Sequence, residues 1–151
     1  MSIVVVGTQL AQSVKPAIQA ISVANGYLTD LGGNVHQVNE DNIIDHLNAL
    51  PAVLIRTGKD RAIEQRPGIA RRARMVTVEV YLDATGDYES VMDAAAVDIH
   101  RALVPSTLEQ KIISPATDIT LGEFDYDHPQ PGERMAVLSV EITFDYIQHY
   151  R

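Results

Sequence analysis

Residues 75–82, with the sequence Met-Val-Thr-Val-Glu-Val-Tyr-Leu, alternate between apolar and polar side chains and predict a β-strand with one buried face. The apolar face comprises Val76, Val78, Val80 and Leu82, and the opposite face comprises Thr77, Glu79 and Tyr81. Directly afterwards, residues 87–103 space apolar side chains three and four apart, which predicts an amphipathic helix capped by Asp87. Its apolar stripe comprises Val91, Met92, Ala95, Ile99, Ala102 and Leu103. Because each element is apolar on one side, the helix is expected to pack on a sheet.

Further strands are predicted on either side of this pair. Residues 136–146 repeat the alternation over a longer stretch, and residues 119–124 and 35–38 are shorter strand candidates. Residues 52–57 form a nearly continuous apolar run, which indicates a strand buried on both faces. Residues 127–132 include two prolines and predict the turn that precedes the last strand.

A second main helix is predicted over residues 8–24, where apolar side chains again recur at helical spacing. Asn25-Gly26 is expected to end it, because both residue types tolerate the left-handed conformation. Pro16 lies inside this run, so the helix is either kinked there or begins only at Ser13.

The predicted order of elements is helix, strands, helix, strands, within a single domain spanning residues 1–151. This order predicts an α+β fold, in which a mostly antiparallel (mixed) sheet is covered on one face by the two main helices. Residues 41–49 form a short helix candidate that Pro51 ends. Residues 58–73, rich in charge and containing two glycines and a proline, are predicted to form a long loop or arm between two strands.

The composition excludes several classes of site and partner. There are no cysteines, which excludes disulfides, thiolate zinc sites and cysteine nucleophiles. A formal net charge of -8 lacks the cationic excess with which a protein coats nucleic acid. The apolar run at residues 3–6 is too short to span a membrane and lacks the basic start of a signal peptide, so we expect a soluble protein made in the cytoplasm.

Catalytic signatures are missing from the sequence. It contains no phosphate-binding glycine-rich motif, no Gly-x-Ser-x-Gly elbow and no histidine pair at metal-binding spacing. Asp125, Asp127 and His128, close to Glu123, form the most metal-like cluster, because alternate carboxylates on a strand point to one side. The simpler interpretation is a solvated strand end that runs into a turn. We therefore predict no catalytic residue, no metal site and no cofactor.

Other polar residues are interpreted mainly as structural. His100 lies at the edge of the second helix's stripe; it could act as a general base, but a partly buried, hydrogen-bonded histidine is the simpler interpretation. Asp98 and Arg101, on either side of it, are expected on the solvent face. In the connection after the first helix, Thr29 and Asp30 are expected to bond nearby backbone groups.

Positive charge is concentrated in the predicted loop and the strand that follows it. Half of the 12 basic residues lie there: Lys59, Arg61, Arg66, Arg71, Arg72 and Arg74. In an otherwise acidic chain, this segregation predicts a cationic arm that contacts acidic groups of a neighbouring protein or nucleic-acid phosphates. The alternative is a solvated loop whose charges only prevent aggregation.

Taken in order, four stretches resemble the tail-terminator (tail-completion, or minor tail) proteins of long-tailed bacteriophages. The first is Gly-Tyr-Leu-Thr-Asp-Leu-Gly at residues 26–32, after the opening helix. The second is Leu-Pro-Ala-Val-Leu-Ile at residues 50–55, before the charged loop. The third is the strand at 75–82 with its following helix, and the last is Val-Glu-Ile-Thr-Phe-Asp-Tyr at residues 140–146.

The resemblance implies an architectural and non-enzymatic role. Members of this family form a ring, usually of six subunits, on the head-proximal end of the completed tail tube. The ring stops tube polymerisation and joins the tail to the head connector. The expected partners are therefore the chain itself, the tail tube protein and the connector or neck protein. DNA would pass through the lumen without specific binding, and no cofactor or membrane is involved. The protein would belong to the tail or neck of the virion and assemble in the host cytoplasm.

Three alternative functions remain open from the sequence. One is another neck or head-completion protein, since these resemble tail terminators in layout. Another is a small adaptor module that binds acidic peptides through the basic loop. The third is a small metal-dependent hydrolase that uses Asp125, Asp127 and His128.

Overall fold

The computed structural model of the chain describes residues 2–37, 49–104 and 116–151. The elements are, in chain order, α1 (Val6–Gln19), β1 (Val35–Gln37), β2 (Ala52–Arg66), β3 (Ile69–Asp83), α2 (Tyr88–Leu103), β4 (Asp118–Leu121), β5 (Asp125–Asp127) and β6 (Met135–His149). Short 3₁₀ turns at Val23–Asn25 and Leu31–Gly33 join α1 to β1. The predicted α+β class is confirmed. Val38 and nearly all of the helix predicted at residues 41–49 lie outside the described residues.

The strands form one mixed sheet in the order β1-β2-β3-β6-β4, and β5 also pairs with β6. The pairing of β1 with β2 is parallel, and every other pairing is antiparallel. The β3–β6 ladder runs without interruption from Ile69 opposite His149 to Asp83 opposite Met135. The two strands with the clearest alternation in the sequence therefore form the centre of the sheet.

The prediction of a loop at residues 58–73 is wrong, because this segment is a β-hairpin. β2 continues to Arg66, β3 begins at Ile69, and the turn between them contains Gly68 with a positive φ of 78°. Register shifts interrupt the ladder between Thr57 and Asp60 and again between Ala62 and Glu64. The charged segment shows no apolar alternation, so its strand conformation is fixed by pairing with β3 and not by a local pattern.

Both helices contribute their apolar stripes to a core on one face of the sheet, as predicted. Leu10, Val14 and Ile18 of α1 are fully buried. α1 begins at Val6 and runs through Pro16, so the alternative start at Ser13 is wrong. The helix ends at Gln19 and not at residue 24, because the chain turns into the first 3₁₀ turn.

The second helix begins where predicted but buries a different set of side chains. The Asp87 carboxylate accepts a hydrogen bond from the Ser90 amide at 3.4 Å, so it is the N-cap as expected. The predicted stripe is buried except for Val91, which is 45% exposed. Asp98 was expected on the solvent face, and this is wrong because the residue is fully buried.

Asp98 is buried because the connection after α1 folds over α2. Its carboxylate accepts hydrogen bonds from the Leu28 amide at 3.0 Å and the Thr29 amide at 2.8 Å. The Thr29 hydroxyl donates a third hydrogen bond at 2.6 Å. The Asp30 carboxylate accepts from the Val23 amide at 2.8 Å, as expected from the sequence. The bonds to Asp98 hold the α1–β1 connection against α2.

Among the described residues, no helix combines the length and the apolar content that crossing a bilayer requires.

Candidate subunit interface

The six predicted contact residues all lie on the distal part of the β2–β3 hairpin. The core residues of these two strands lie closer to α2, at 53–55 and 76–82. The distal part, residues 58–74, is paired along β3 with the end of β6. The basic residues are therefore carried on a strand-paired arm and not on a loop.

Asp60 neutralises two of the six. Its carboxylate forms ion pairs with Arg72 at 2.6 Å and Arg74 at 2.7 Å. The Tyr146 hydroxyl, from β6, donates a further hydrogen bond to the same carboxylate. All four side chains lie on the helix-covered face, because Asp60 is opposite Arg74 and Arg72 is opposite Tyr146 in the ladders. This cluster joins the two strands of the arm to each other and to the end of β6, and it could not be inferred from the sequence alone.

The cluster shifts the pKa values of its acidic members in opposite directions. Burial alone would raise the pKa of the Asp60 carboxyl, but hydrogen bonds from Tyr146, Arg74 and Arg72 outweigh it and hold that pKa below its usual value. Burial, followed by the hydrogen bond to Asp60, raises the pKa of Tyr146. At neutral pH the carboxylate is therefore charged and the phenol is protonated, as the cluster requires.

The cluster predicts a specific acid sensitivity. Because the pKa of Asp60 is lower in the folded than in the unfolded chain, its contribution to stability is present above about pH 4 and is lost as pH falls through the folded pKa. Asp60→Asn mimics the protonated residue at every pH. We expect the difference in Tm between the wild type and this variant to shrink between pH 6 and pH 3 in thermal melts. A difference that stays constant over this range would contradict the assignment.

The other four cations are exposed. Arg71 is paired with Asp145 at 3.5 Å and Arg66 with Glu64 at 2.8 Å, both at positions where surface ion pairs contribute little to stability. Lys59 and Arg61 are also exposed, and within the described part of the chain no ion pair is found for either. The predicted contact set thus divides into four exposed cations and two that hold the arm in place.

An exposed apolar segment lies beside the arm. Ile3, Val4 and Val5 are 52%, 56% and 58% exposed. The segment is attached to the sheet by Gln148, whose amide donates to the Val4 carbonyl at 2.7 Å and accepts from the Val6 amide at 3.0 Å. From the sequence, this run was excluded as a membrane span or a signal peptide, and no other role was predicted for it.

Gly7 permits close packing between this segment and the Asp60 cluster. A Cβ at Gly7 would lie 2.5 Å from an Arg74 guanidinium nitrogen and 2.8 Å from the Tyr146 hydroxyl oxygen. Any larger residue would therefore displace the arginine that binds Asp60. A cavity of about 360 Å³ lies between the segment and the cluster.

The metal-like cluster is not assembled. Within the described residues, no three histidine or acidic side chains come close enough to hold a metal ion. Asp125 and Asp127 lie exposed on β5, while the His128 ring contacts Tyr88, with the Tyr88 hydroxyl 3.0 Å from Nδ1. His100 is exposed on α2, which does not fit the expected partly buried histidine. These positions bring together no catalytic constellation.

Comparison with known proteins gives a structural likeness only. No protein-family model matches the chain, and no curated protein matches it either. The fold is similar to that of a chain in the virion of a native gene transfer agent particle, with a TM-score of 0.60 and 17% sequence identity. The match covers 93% of this chain and 96% of the other. The shared fold therefore extends over nearly the whole of both chains.

Proposed function

We propose that this protein is a non-enzymatic structural subunit of a phage-like virion. More specifically, it forms a ring, of six subunits as is usual in the family it resembles, at the head-proximal end of the tail tube. There it stops tube polymerisation and joins the tail to the head connector. The main support is that a chain of a virion has a similar fold over 93% of the residues of this chain.

The sheet has the surfaces that a ring requires. A closed ring is built from a heterologous contact, in which two different surfaces of one subunit meet their complements on two neighbours. In the described residues, β2 beyond Ile55 pairs only with β3, so its other edge offers free backbone groups. Register shifts and charged side chains along this edge restrict indiscriminate strand pairing, which favours a specific contact.

The charge distribution supports passage of DNA through such a ring. A net charge of -8 disfavours tight binding of phosphates. Of the predicted contact residues, we assign Lys59, Arg61, Arg66 and Arg71 to contacts with a neighbouring subunit or the tube. Arg72 and Arg74 instead support the arm through Asp60.

The test is the mass of the purified protein by light scattering after size exclusion, alone and with a candidate tail tube protein. Electron microscopy of the largest species then follows. We expect a closed ring, either free or seated on one end of each tube. A strict monomer that does not bind tubes would contradict the proposal and would favour the adaptor function. A ring that binds the connector but never the tube would favour another neck or head-completion protein.

A further inference from the structure

The helix-free face of the sheet carries two patches of opposite charge at its two ends. Partners directly opposite in a ladder share a face, so the side chains of Arg71 and Ile147 at one end lie on the same face as those of Asp83 and Met135 at the other. Twelve residue steps along β3 separate Arg71 from Asp83, or about 40 Å at roughly 3.3 Å per residue. A single copy therefore cannot bring the two patches together.

The first patch, the cationic patch, lies at the hairpin tip. A cavity of about 270 Å³ is lined there by Ile69, Ala70 and Ile147, with Arg66 and Arg71 at its rim. Ile147 is 41% exposed, and the Arg66 side chain is 74% exposed. Two carboxylates lie among these cations: Glu64, which also lines the cavity and is paired with Arg66, and Asp145, which is paired with Arg71 at 3.5 Å. With Lys59 and Arg61, which are exposed on the same arm, four cations and two carboxylates lie at this end, so the apolar centre is surrounded by an excess of positive charge. An apolar centre with a polar rim is the usual arrangement at a protein interface.

The second patch, the acidic patch, lies where β3, β5 and β6 meet. Asp125 and Asp127 are exposed, and their ladder partners are Ser139 and Val137 of β6. Met135, 36% exposed, lies two residues before Val137 on the same face, and its ladder partner is the exposed Asp83. This end therefore carries an apolar centre with a negative rim.

The residues around the acidic patch are also mainly negative. The acidic end, taken as Asp83, β5, the first turns of α2 and the turn before β6, exposes the carboxylates of Asp83, Asp87, Glu89, Asp93, Asp125, Asp127 and Glu133. Arg134 is the one lysine or arginine among the described residues of that end. The carboxylates of α2 lie on the helix-covered side, while Asp83, Asp125 and Asp127 lie on the helix-free face, so both sides of this end are negative. A cationic surface is the complement of this end, and the chain itself supplies one at its other end.

We propose that the acidic patch of one copy docks on the cationic patch of the next, and that this head-to-tail contact closes the ring. The inference rests on the proposed function and adds to it the surfaces that meet. Each copy contributes both halves of the contact, so every interface in the ring is the same. Opposite potentials on the two rims favour this pairing and disfavour contact between like patches.

Charge reversal tests the contact. Arg66→Glu/Arg71→Glu makes both ends acidic, and Asp125→Lys/Asp127→Lys makes both ends cationic. We expect each variant alone to associate at least about a hundredfold more weakly than the wild type, because like charges then face each other. An equimolar mixture of the two should form rings again, with the variants alternating. The chain that carries all four substitutions should also form rings. Light scattering and native mass spectrometry measure the masses and the composition.

Two single substitutions serve as matched controls. Arg134→Glu adds negative charge to the acidic end, and Glu64→Lys adds positive charge to the cationic end. Each control changes the charge of one residue to the sign that already predominates at its end, so we expect rings to be retained. Thermal melts of all variants should stay close to the wild type, because the substituted side chains are exposed.

The possible outcomes show whether the docking contact or the proposed ring itself is wrong. If the wild type forms a ring and both reversal variants form it equally well, the contact is elsewhere and the inference is overturned. If the mixture yields only species of two subunits, the patches meet in a closed dimer and the head-to-tail arrangement is wrong. A wild type that forms no ring, with or without the tube protein, would overturn the proposed function itself.

Discussion

Replacing Asp98 by alanine is expected to destabilise the fold by about 4 kcal/mol, the largest effect we predict for one side chain. The substitution removes a fully buried carboxylate and leaves the partly buried Leu28 amide, Thr29 amide and Thr29 hydroxyl without their acceptor. The α1–β1 connection would then have to separate from α2 or admit water. For a chain of this length, the expected fall in Tm is about 8–16 °C, measured by calorimetry or circular dichroism.

Asp93→Ala is the matched control, because Asp93 is exposed on the same helix and accepts one hydrogen bond, from the Tyr126 hydroxyl at 2.7 Å. We expect it to lower the stability by less than about 1 kcal/mol. Asp98→Asn keeps one carbonyl acceptor but turns an amide group towards a donor, so its effect should be intermediate. Equal effects of Asp98→Ala and Asp93→Ala would show that the buried carboxylate does not hold the connection.

Replacing Asp60 by alanine is expected to lower the stability by about 3 kcal/mol. The variant removes the shared partner of Arg72 and Arg74, which then repel each other across the strand. It also leaves the buried Tyr146 hydroxyl without its acceptor. We expect a fall in Tm of about 6–12 °C, together with faster amide hydrogen exchange in the distal hairpin than in the β3–β6 centre.

Two variants separate the cluster from the rest of the arm. Glu64→Ala removes an exposed ion pair with Arg66 on the same strand and should change the stability by less than about 1 kcal/mol. Tyr146→Phe removes one of the three donors to Asp60 and should have a smaller effect than Asp60→Ala. If exchange in the distal hairpin were unchanged in Asp60→Ala, the cluster would not be what joins the arm to the sheet.

Most of the fold followed from periodic patterns. The alternation in β3 and β6 and the apolar stripes of the helices predicted the elements that build the core, because burial on one face imposes a period of two on a strand and about 3.6 on a helix. The distal hairpin was not predicted. Residues 58–74 lie outside the hydrophobic core cluster, and their helix-covered face carries the Asp60 cluster in place of apolar side chains. Burial therefore imposes no apolar alternation on them.

For the candidate interface, the sequence predicted the basic segment but not which of its cations are exposed and which are paired with Asp60. The segregation of six basic residues was visible without a structure. That Arg72 and Arg74 pair with Asp60 follows only from strand register, which places residue 60 opposite residue 74. The contribution of Gln148 was not visible either, since it depends on the N-terminal segment crossing the end of β6.

The sequence by itself therefore determined the fold class, the two helix stripes, the central strands and the excess of positive charge between residues 59 and 74. These properties are local, because each depends on side chains spaced within one element. The tertiary structure alone decided that the charged segment is a hairpin, that Asp98 is buried and that two arginines are neutralised. It also decided that oppositely charged patches lie about 40 Å apart on one face. Each of these depends on contacts between residues distant in the chain, which no local pattern records.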